Sequence, residues 1–210
     1  MTYFPFPKMS PGQRGAGEVS ITEFAVPKDA LGFWKERLSA LGVSSLIESS
    51  FLGEKRLSFD GPDGDGFALV ESDVRDRTPW AEADVPEEAG ILGFHGARFR
   101  LQDAAATGEL LKFMGYQKDE TRGNITRYRI EGGNAADTID LEELPSAGTS
   151  SQGAGSVHHI AFAVEDRAAQ VEVRKALLDT GYQVTPVIDR DYFWAIYFRS
   201  PGGVLFEVAT

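Results

Sequence analysis

Two distant segments of the chain share one pattern. They are RGAGEVSITEFAVPKDA, residues 14–30, and QGAGSVHHIAFAVEDRA, residues 152–168, and both read GAG-x-V, four variable positions and FAV. A fainter third copy, GFHGARFRLQDAA, covers residues 93–105. Internal repetition on this scale is typical of a fold assembled from similar units, so it limits the chain to architectures in which one supersecondary unit recurs.

Each copy continues in the same order. The first strand ends at a polar region suited to begin a helix, at Lys28–Asp29, Asp103 and Glu165–Asp166. An amphipathic helix follows and ends before a glycine, at Gly42, Gly115 and Gly181. Strand-like runs around a glycine-rich hairpin turn come next. The sequence therefore predicts a strand–helix–strand–strand–strand unit, βαβββ, in three copies.

A single curved four-stranded sheet with one helix cannot bury both of its faces, so such units must pair. We therefore predict an α+β fold of repeated βαβββ modules, with mixed curved sheets, the helices outside and a concave cavity between sheets. Complete modules are predicted over residues 18–72, 91–145 and 157–210, with linkers over 73–90 and 146–156.

The first residues suggest a fourth module. MTYFPFP reads as an isolated strand, and GQRGAGEV after it matches the linker before the last unit. We interpret residues 1–17 as the last strand of an incomplete first module plus a linker. An ordinary N-terminal edge strand is the alternative.

Composition excludes several classes of function. The net charge of −11 argues against a nucleic-acid or membrane partner. The absence of cysteine excludes disulfides, thiolate nucleophiles and cysteine-ligated metals. No apolar run approaches the ~18 residues of a membrane span, and no signal peptide is evident, so a cytoplasmic protein is expected.

Three motifs in the last unit carry a family resemblance: SVHHIAFAV, DRDYFWAIYFRSPGG and the terminal LFEVAT. They resemble the vicinal oxygen chelate superfamily of glyoxalases, bleomycin-resistance proteins and extradiol dioxygenases, and within it the four-module hydroquinone ring-cleaving dioxygenases. The resemblance implies Fe(II) or Mn(II) held by a histidine of module one and by a histidine and a glutamate of module four. It assigns His159 and Glu207 as metal ligands, and the first-module histidine has no counterpart.

The resemblance also implies that His158, Arg190 and Tyr197 surround the substrate as catalytic residues. Tyr197 could donate a hydrogen bond to substrate or oxygen, or it could pack in the core. Arg190 could hold a phenolate, or it could form a salt bridge to Asp189 or Asp191.

The residues themselves support part of this assignment. Glu207 lies in the otherwise apolar strand VLFEVA, where burial of a carboxylate requires a metal or an arginine unless the side chain faces solvent. Strand alternation predicts opposite faces for the two adjacent histidines. His159 then faces the cavity with Ala161 and Ala163, and His158 faces the core.

The other copies offer an internal comparison. Ile21 stands in the position of His159 in the first copy, and Gly96 stands there in the next one, where His95 matches His158. Asp140 falls near the position of Glu207. One carboxylate without a facing imidazole makes a poor metal site, so a surface or hydrogen-bonded aspartate is expected.

The resemblance implies a ring-cleaving dioxygenase that acts on a small hydroquinone-like aromatic and O2. Its partner would be a complementary first-module polypeptide or a second copy in a homodimer. Two other functions stay open at this point. One is a metal-free ligand-binding protein of the bleomycin-resistance type. The other is a glyoxalase-I-like lyase or isomerase with a site shared across a dimer.

Overall fold

The computed structural model describes residues 1, 4, 6, 8–73, 77–80, 82, 84–133 and 136–210. Four of the seven residues of MTYFPFP do not belong to this set. The strand predicted for that segment therefore lies outside the described residues.

Three units follow one another with the same order of elements. The first contains β1 (Glu18–Pro27), α1 (Leu31–Ala40), β2 (Ile47–Phe51), β3 (Glu54–Asp60) and β4 (Gly66–Ser72). The second contains β5 (Gly93–Leu101), α2 (Ala105–Phe113), β6 (Gln117–Arg122), β7 (Ile125–Arg129) and β8 (Thr138–Glu143). The last contains β9 (Ile160–Ala163), α3 (Arg167–Asp179), β10 (Ile188–Asp189), β11 (Trp194–Arg199) and β12 (Leu205–Ala209). This order confirms the predicted α+β fold of repeated βαβββ modules.

The strands form two sheets. The first two units share an eight-stranded sheet in the order β2-β3-β4-β1-β5-β8-β7-β6, joined where β1 pairs antiparallel with β5. The last unit forms a four-stranded sheet in the order β10-β11-β12-β9. The first strand of each of the first two units is therefore paired with its counterpart, whereas β9 is an edge of its sheet among the described strands.

Each helix ends as its sequence predicts. Gly42, Gly115 and Gly181 have φ values of 86°, 96° and 91°, which glycine adopts at little cost. At the end of α3 the Tyr182 amide donates to the Leu177 carbonyl over 3.0 Å, which satisfies a carbonyl of the last turn.

The helix starts are less uniform than the predicted polar regions suggested. At the start of α3, Asp166 accepts a 2.8 Å hydrogen bond from the Ala169 amide, and before α2 the side chain of Asp103 accepts one of 2.8 Å from the Ala105 amide. The N-cap residues of α1 and α2 are Ala30 and Ala104, which have no side chain able to cap.

The second and last units pack back to back through their helix-bearing faces. Phe99 of β5 and Leu111 of α2 are fully buried there, together with Leu177 of α3 and Phe206 of β12. The rings of Phe99 and Phe206 are 5.7 Å apart. This shared apolar core leaves the opposite face of the four-stranded sheet open.

Charged side chains fill the helix-free face of the eight-stranded sheet. The Arg127 guanidinium donates from Nε and Nη2 to both oxygens of Asp140, over 2.7 and 3.0 Å. Its Nη1 donates to Glu54 over 2.6 Å, which links the second unit to the first. Arg56 in turn donates to Glu23 over 2.7 Å and to Glu54 over 3.1 Å.

One aromatic ring packs among these arginines. The Phe51 centroid lies 5.3, 5.5 and 5.4 Å from the guanidinium carbons of Arg56, Arg98 and Arg127. Arg98 also approaches Asp140 at 3.5 Å. Three arginines and three carboxylates balance in charge, so this face is closed by ion pairs and by one aromatic ring.

No helix among the described residues is long and apolar enough to cross a membrane.

The charge of Glu54 stabilises the contact between the first two units. Burial alone would raise the pKa of Glu54, but His95 and Arg127 outweigh that effect and lower the pKa from 4.5 to about 2. Because the pKa of the folded state lies below the ordinary value, the carboxylate stabilises the fold above about pH 4.5. This contribution is lost as the pH falls toward 2.

We predict that Glu54→Gln removes a contribution on the order of 3 kcal/mol to the free energy of unfolding. Urea unfolding at about pH 7, 5 and 3 measures the free energy of unfolding of wild type and variant. The difference between the two free energies should narrow at the lowest pH. Glu48→Gln is the control, because Glu48 forms an exposed pair with Lys35. A gap that stays constant from pH 7 to pH 3 would contradict the role given to Glu54.

Candidate metal centre

Glu207 lies at the centre of the four-stranded sheet. Its strand β12 runs between β9 and β11, and Glu207 pairs with Ala161 on one side and Tyr197 on the other. Its neighbours Phe206 and Val208 point into the core, so alternation directs Glu207 to the open face. The side chain is nevertheless only 5% exposed, which makes this a buried carboxylate.

His159 supplies the partner of that carboxylate. It directly precedes β9, and its Nε2 lies 2.5 Å from Glu207 Oε2. The two side chains come from opposite ends of the last unit, and the parallel pairing of β9 with β12 brings them together.

His158 does not face the core as strand alternation predicted. Both histidines precede Ile160, where β9 begins, so the alternation of side chains within a strand does not apply to them. His158 is exposed, and its Nδ1 lies 2.8 Å from Nδ1 of His159. Gln152 holds this irregular segment through a 2.7 Å hydrogen bond from Nε2 to the His158 carbonyl.

Tyr197 and Arg190 border the same pair. The Tyr197 ring stands edge-on to the His159 imidazole, with centroids 5.6 Å apart. Arg190 Nη2 donates to the Tyr197 hydroxyl over 3.3 Å. Among the described residues no salt bridge joins Arg190 to Asp189 or Asp191, so its guanidinium charge faces the groove. The structure thus places all five predicted site residues in one cluster.

The environment favours neutral forms of two of these groups. Burial lowers the pKa of His159, helped by the nearby His158 and Arg190, and these effects outweigh the Glu207 charge. Burial also raises the pKa of Tyr197, and the Glu207 carboxylate adds to that increase. At neutral pH the imidazole is therefore able to act as a ligand and the phenol keeps its proton.

The pair has unused capacity for a cation. Glu207 Oε1 is buried and accepts no hydrogen bond from any described residue. A buried carboxylate oxygen without a partner is costly, and a bound cation would satisfy it. An imidazole nitrogen and a carboxylate also suit Fe(II) or Mn(II). The described residues contain no group of three or more histidine, aspartate or glutamate side chains that could hold a metal ion.

The pair opens into a broad groove of about 2180 Å³. Aromatic side chains line much of it, among them Phe94, Phe113, Phe162 and Phe193. Phe94 and Phe113 are 39% and 53% exposed, which is unusual for such large apolar groups. The groove is therefore suited to an apolar partner or to a flat aromatic ligand.

The corresponding position of the second unit is used differently. Asp140 pairs with Arg98 across β5 and with Arg127 across β7, as Glu207 pairs with Ala161 and Tyr197. Arg127 thus occupies the place of Tyr197 and neutralises Asp140 directly. This agrees with the hydrogen-bonded aspartate expected from the sequence. The sequence alone does not predict the role of Arg127, although Arg127 alternates with the apolar Tyr128.

Comparison with known proteins places the chain in a family. Residues 66–208 match the model of the Glyoxalase/Bleomycin resistance protein/Dioxygenase superfamily. A Bacillus subtilis (strain 168) protein named "Putative ring-cleaving dioxygenase MhqO" is 37% identical over 211 residues, covering 100% of this chain and 67% of its own length. The chlorohydroquinone/hydroquinone 1,2-dioxygenase of Sphingobium indicum is 35% identical over 95% of this chain and 64% of its own length.

A comparison with solved structures leads to the same family. The crystal structure titled as a putative dioxygenase from Bacillus subtilis subsp. subtilis str. 168 superposes with a TM-score of 0.92 at 36% identity, over 99% of this chain and 66% of that one. The chain spans about two thirds of the length of these relatives. Their similarity confirms the resemblance noted from the sequence. The chain belongs to the Glyoxalase/Bleomycin resistance protein/Dioxygenase superfamily.

Proposed function

We propose that this chain carries the metal-binding part of a ring-cleaving dioxygenase that acts on hydroquinone-like aromatics. The observation that carries the proposal is the contact between His159 and Glu207, together with one buried carboxylate oxygen that has no hydrogen-bond partner among the described residues. The names of the relatives support the reaction class and the substrate class.

His159 Nε2 and the Glu207 carboxylate would hold Fe(II) or Mn(II). When bound, the ion supplies a Lewis acid and an electron path between an aromatic ring and O2. Glu207 would compensate the positive charge of the ion, and the parallel pairing of β9 with β12 brings it beside the segment that carries His159.

The residues around the His159–Glu207 pair would bind and orient the substrate. The Arg190 guanidinium attracts a phenolate oxygen, because no carboxylate of the described chain neutralises it. The Tyr197 hydroxyl keeps its proton and can donate it in a hydrogen bond to a substrate oxygen. For His159 Nε2 to hold a metal, the His159 Nδ1–H must donate to Nδ1 of His158, so the exposed His158 imidazole carries its own proton on Nε2 and can donate it in a hydrogen bond to a substrate oxygen. Ile160 and the aromatic groove residues offer apolar surface against which the ring can pack.

The third protein ligand comes, in this proposal, from another βαβββ unit that pairs with the free edge of β9. The pairing of β1 with β5 provides the pattern, with Thr22 opposite Ala97. By the repeat these residues correspond to Ile160. A first strand placed on β9 in that register lies beside the segment that carries His159.

We favour a single βαβββ unit over a second copy of this chain as that partner. The groove beside β9 has one wall from the last unit and another from Phe67 and Phe94 of the first two units. A second copy would bring a last unit whose helix-bearing face is already buried against its own Phe99. A lone unit has no second unit packed against its helix-bearing face, so that face is available to pack in the groove. This holds whether the unit belongs to the same polypeptide or to another.

We predict that His159→Ala and Glu207→Gln each weaken Mn(II) binding by at least about tenfold, because each removes one of two ligands. Anaerobic titration followed by manganese electron paramagnetic resonance measures the dissociation constant. Glu172→Gln is the matched control for Glu207→Gln, because Glu172 is an exposed carboxylate of α3 that lines the same groove. Equal Mn(II) binding by wild type and the double variant would show that the ion binds elsewhere.

A second prediction concerns the partner unit. The chain is co-expressed with the portion of the Bacillus subtilis relative that it does not cover, and O2 consumption is followed with chlorohydroquinone. We expect uptake from the Fe(II)-loaded pair and at most about 1% of that rate from either part alone, because two ligands hold the ion weakly. Full activity of the chain alone would contradict the need for a further unit.

A further inference from the structure

The position of Tyr197 depends on an irregular strand edge. Strand β10 contains only two residues, and its pairs with β11 are Ile188 with Ala195 and Asp189 with Trp194. Continued in the same register, this pairing would put Pro186 opposite Tyr197. A proline has no N–H, so it cannot complete a hydrogen-bonded pair there.

Thr185 makes the two hydrogen bonds to the Tyr197 backbone that a regular strand residue would make. Its amide donates to the Tyr197 carbonyl over 3.0 Å, and its hydroxyl Oγ1 accepts from the Tyr197 amide over 3.0 Å. The side chain of one residue thus replaces the backbone carbonyl that a regular strand would present. Both peptide groups of Tyr197 on this edge are satisfied without a further strand residue.

Thr185 is itself fixed from the helix side. Arg174 of α3 donates from Nε to the Thr185 carbonyl over 2.7 Å, and this contact is partly buried. The adjacent Val184 forms a bridge with Phe198, whose ring lies in the core. A short path of contacts therefore runs from α3 through Thr185 to the backbone of Tyr197.

We propose that Thr185 is a positioning residue for Tyr197. This inference rests on the proposed function, in which Tyr197 donates to a substrate oxygen. The hydroxyl of Thr185 fixes the β11 backbone so that the Tyr197 ring stands beside His159 and its hydroxyl lies within reach of Arg190. A regular extension of β10 could not do this, because Pro186 interrupts it.

The test compares two substitutions of nearly equal size. Thr185→Val keeps the shape and removes the acceptor, whereas Thr185→Ser keeps the acceptor. Binding of chlorohydroquinone under anaerobic conditions is measured by titration calorimetry for both variants. We expect about three- to tenfold weaker binding for Thr185→Val and less than about twofold change for Thr185→Ser, as for loss of one neutral hydrogen bond.

A double-mutant cycle with Tyr197→Phe separates positioning from general stability. If Thr185 acts through the Tyr197 hydroxyl, Thr185→Val changes binding by less than about twofold in the Tyr197→Phe background. Equal losses in both backgrounds would overturn the proposal, as would a Thr185→Ser variant as weak as Thr185→Val.

Two measurements do not need chlorohydroquinone binding or activity. In the unaltered protein the Tyr197 amide should exchange as slowly as the amides inside the β11–β12 pair. Nuclear Overhauser contacts between the Tyr197 ring and the His159 imidazole should be present there and weaker in Thr185→Val. Fast exchange of the Tyr197 amide would contradict the positioning role of Thr185. A protein that shows both signals yet does not bind chlorohydroquinone would instead refute the proposed function.

Discussion

The buried carboxylate of Glu207 is the constraint on which the site depends. An ionised carboxylate inside an apolar strand is unfavourable unless a partner compensates it, and His159 compensates only one of its two oxygens. The backbone of Glu207 is fixed on both sides, because β12 is held between β9 and β11. The remaining oxygen is buried beside the groove and has no hydrogen-bond partner among the described residues, and a cation is the complement that we propose for it. Tyr197 and Arg190 have a role in the proposed function because they lie beside the His159–Glu207 pair.

The repeated unit shows how one architecture accommodates two solutions to the same problem. In the second unit Asp140 occupies the corresponding place, but Arg127 approaches from the neighbouring strand and forms a bidentate ion pair with it. That carboxylate is fully compensated, and Phe51 covers the arginines. In the last unit Tyr197 stands where Arg127 stands, and one oxygen of Glu207 has no hydrogen-bond partner among the described residues. The exchange of one side chain on a neighbouring strand distinguishes a structural ion pair from a candidate metal centre.

The sequence predicted the architecture well because the repeat, the glycines after each helix and the apolar periodicity all act locally. It predicted Glu207 as a residue in need of a partner for the same reason. It failed for His158, because strand alternation was applied to two residues that precede the strand. It also could not reveal Thr185 or Arg127, whose roles depend on the register between strands. Register is set by tertiary packing and by the place where Pro186 interrupts pairing, and neither follows from local pattern alone.

If His159 and Glu207 bind one divalent ion together, a crystal structure of the Mn(II)-soaked protein, with anomalous data collected near the manganese edge, will show it. We expect one dominant anomalous peak at bonding distance from both His159 Nε2 and a Glu207 carboxylate oxygen. A peak at any other location, with the His159–Glu207 contact unchanged, would contradict it.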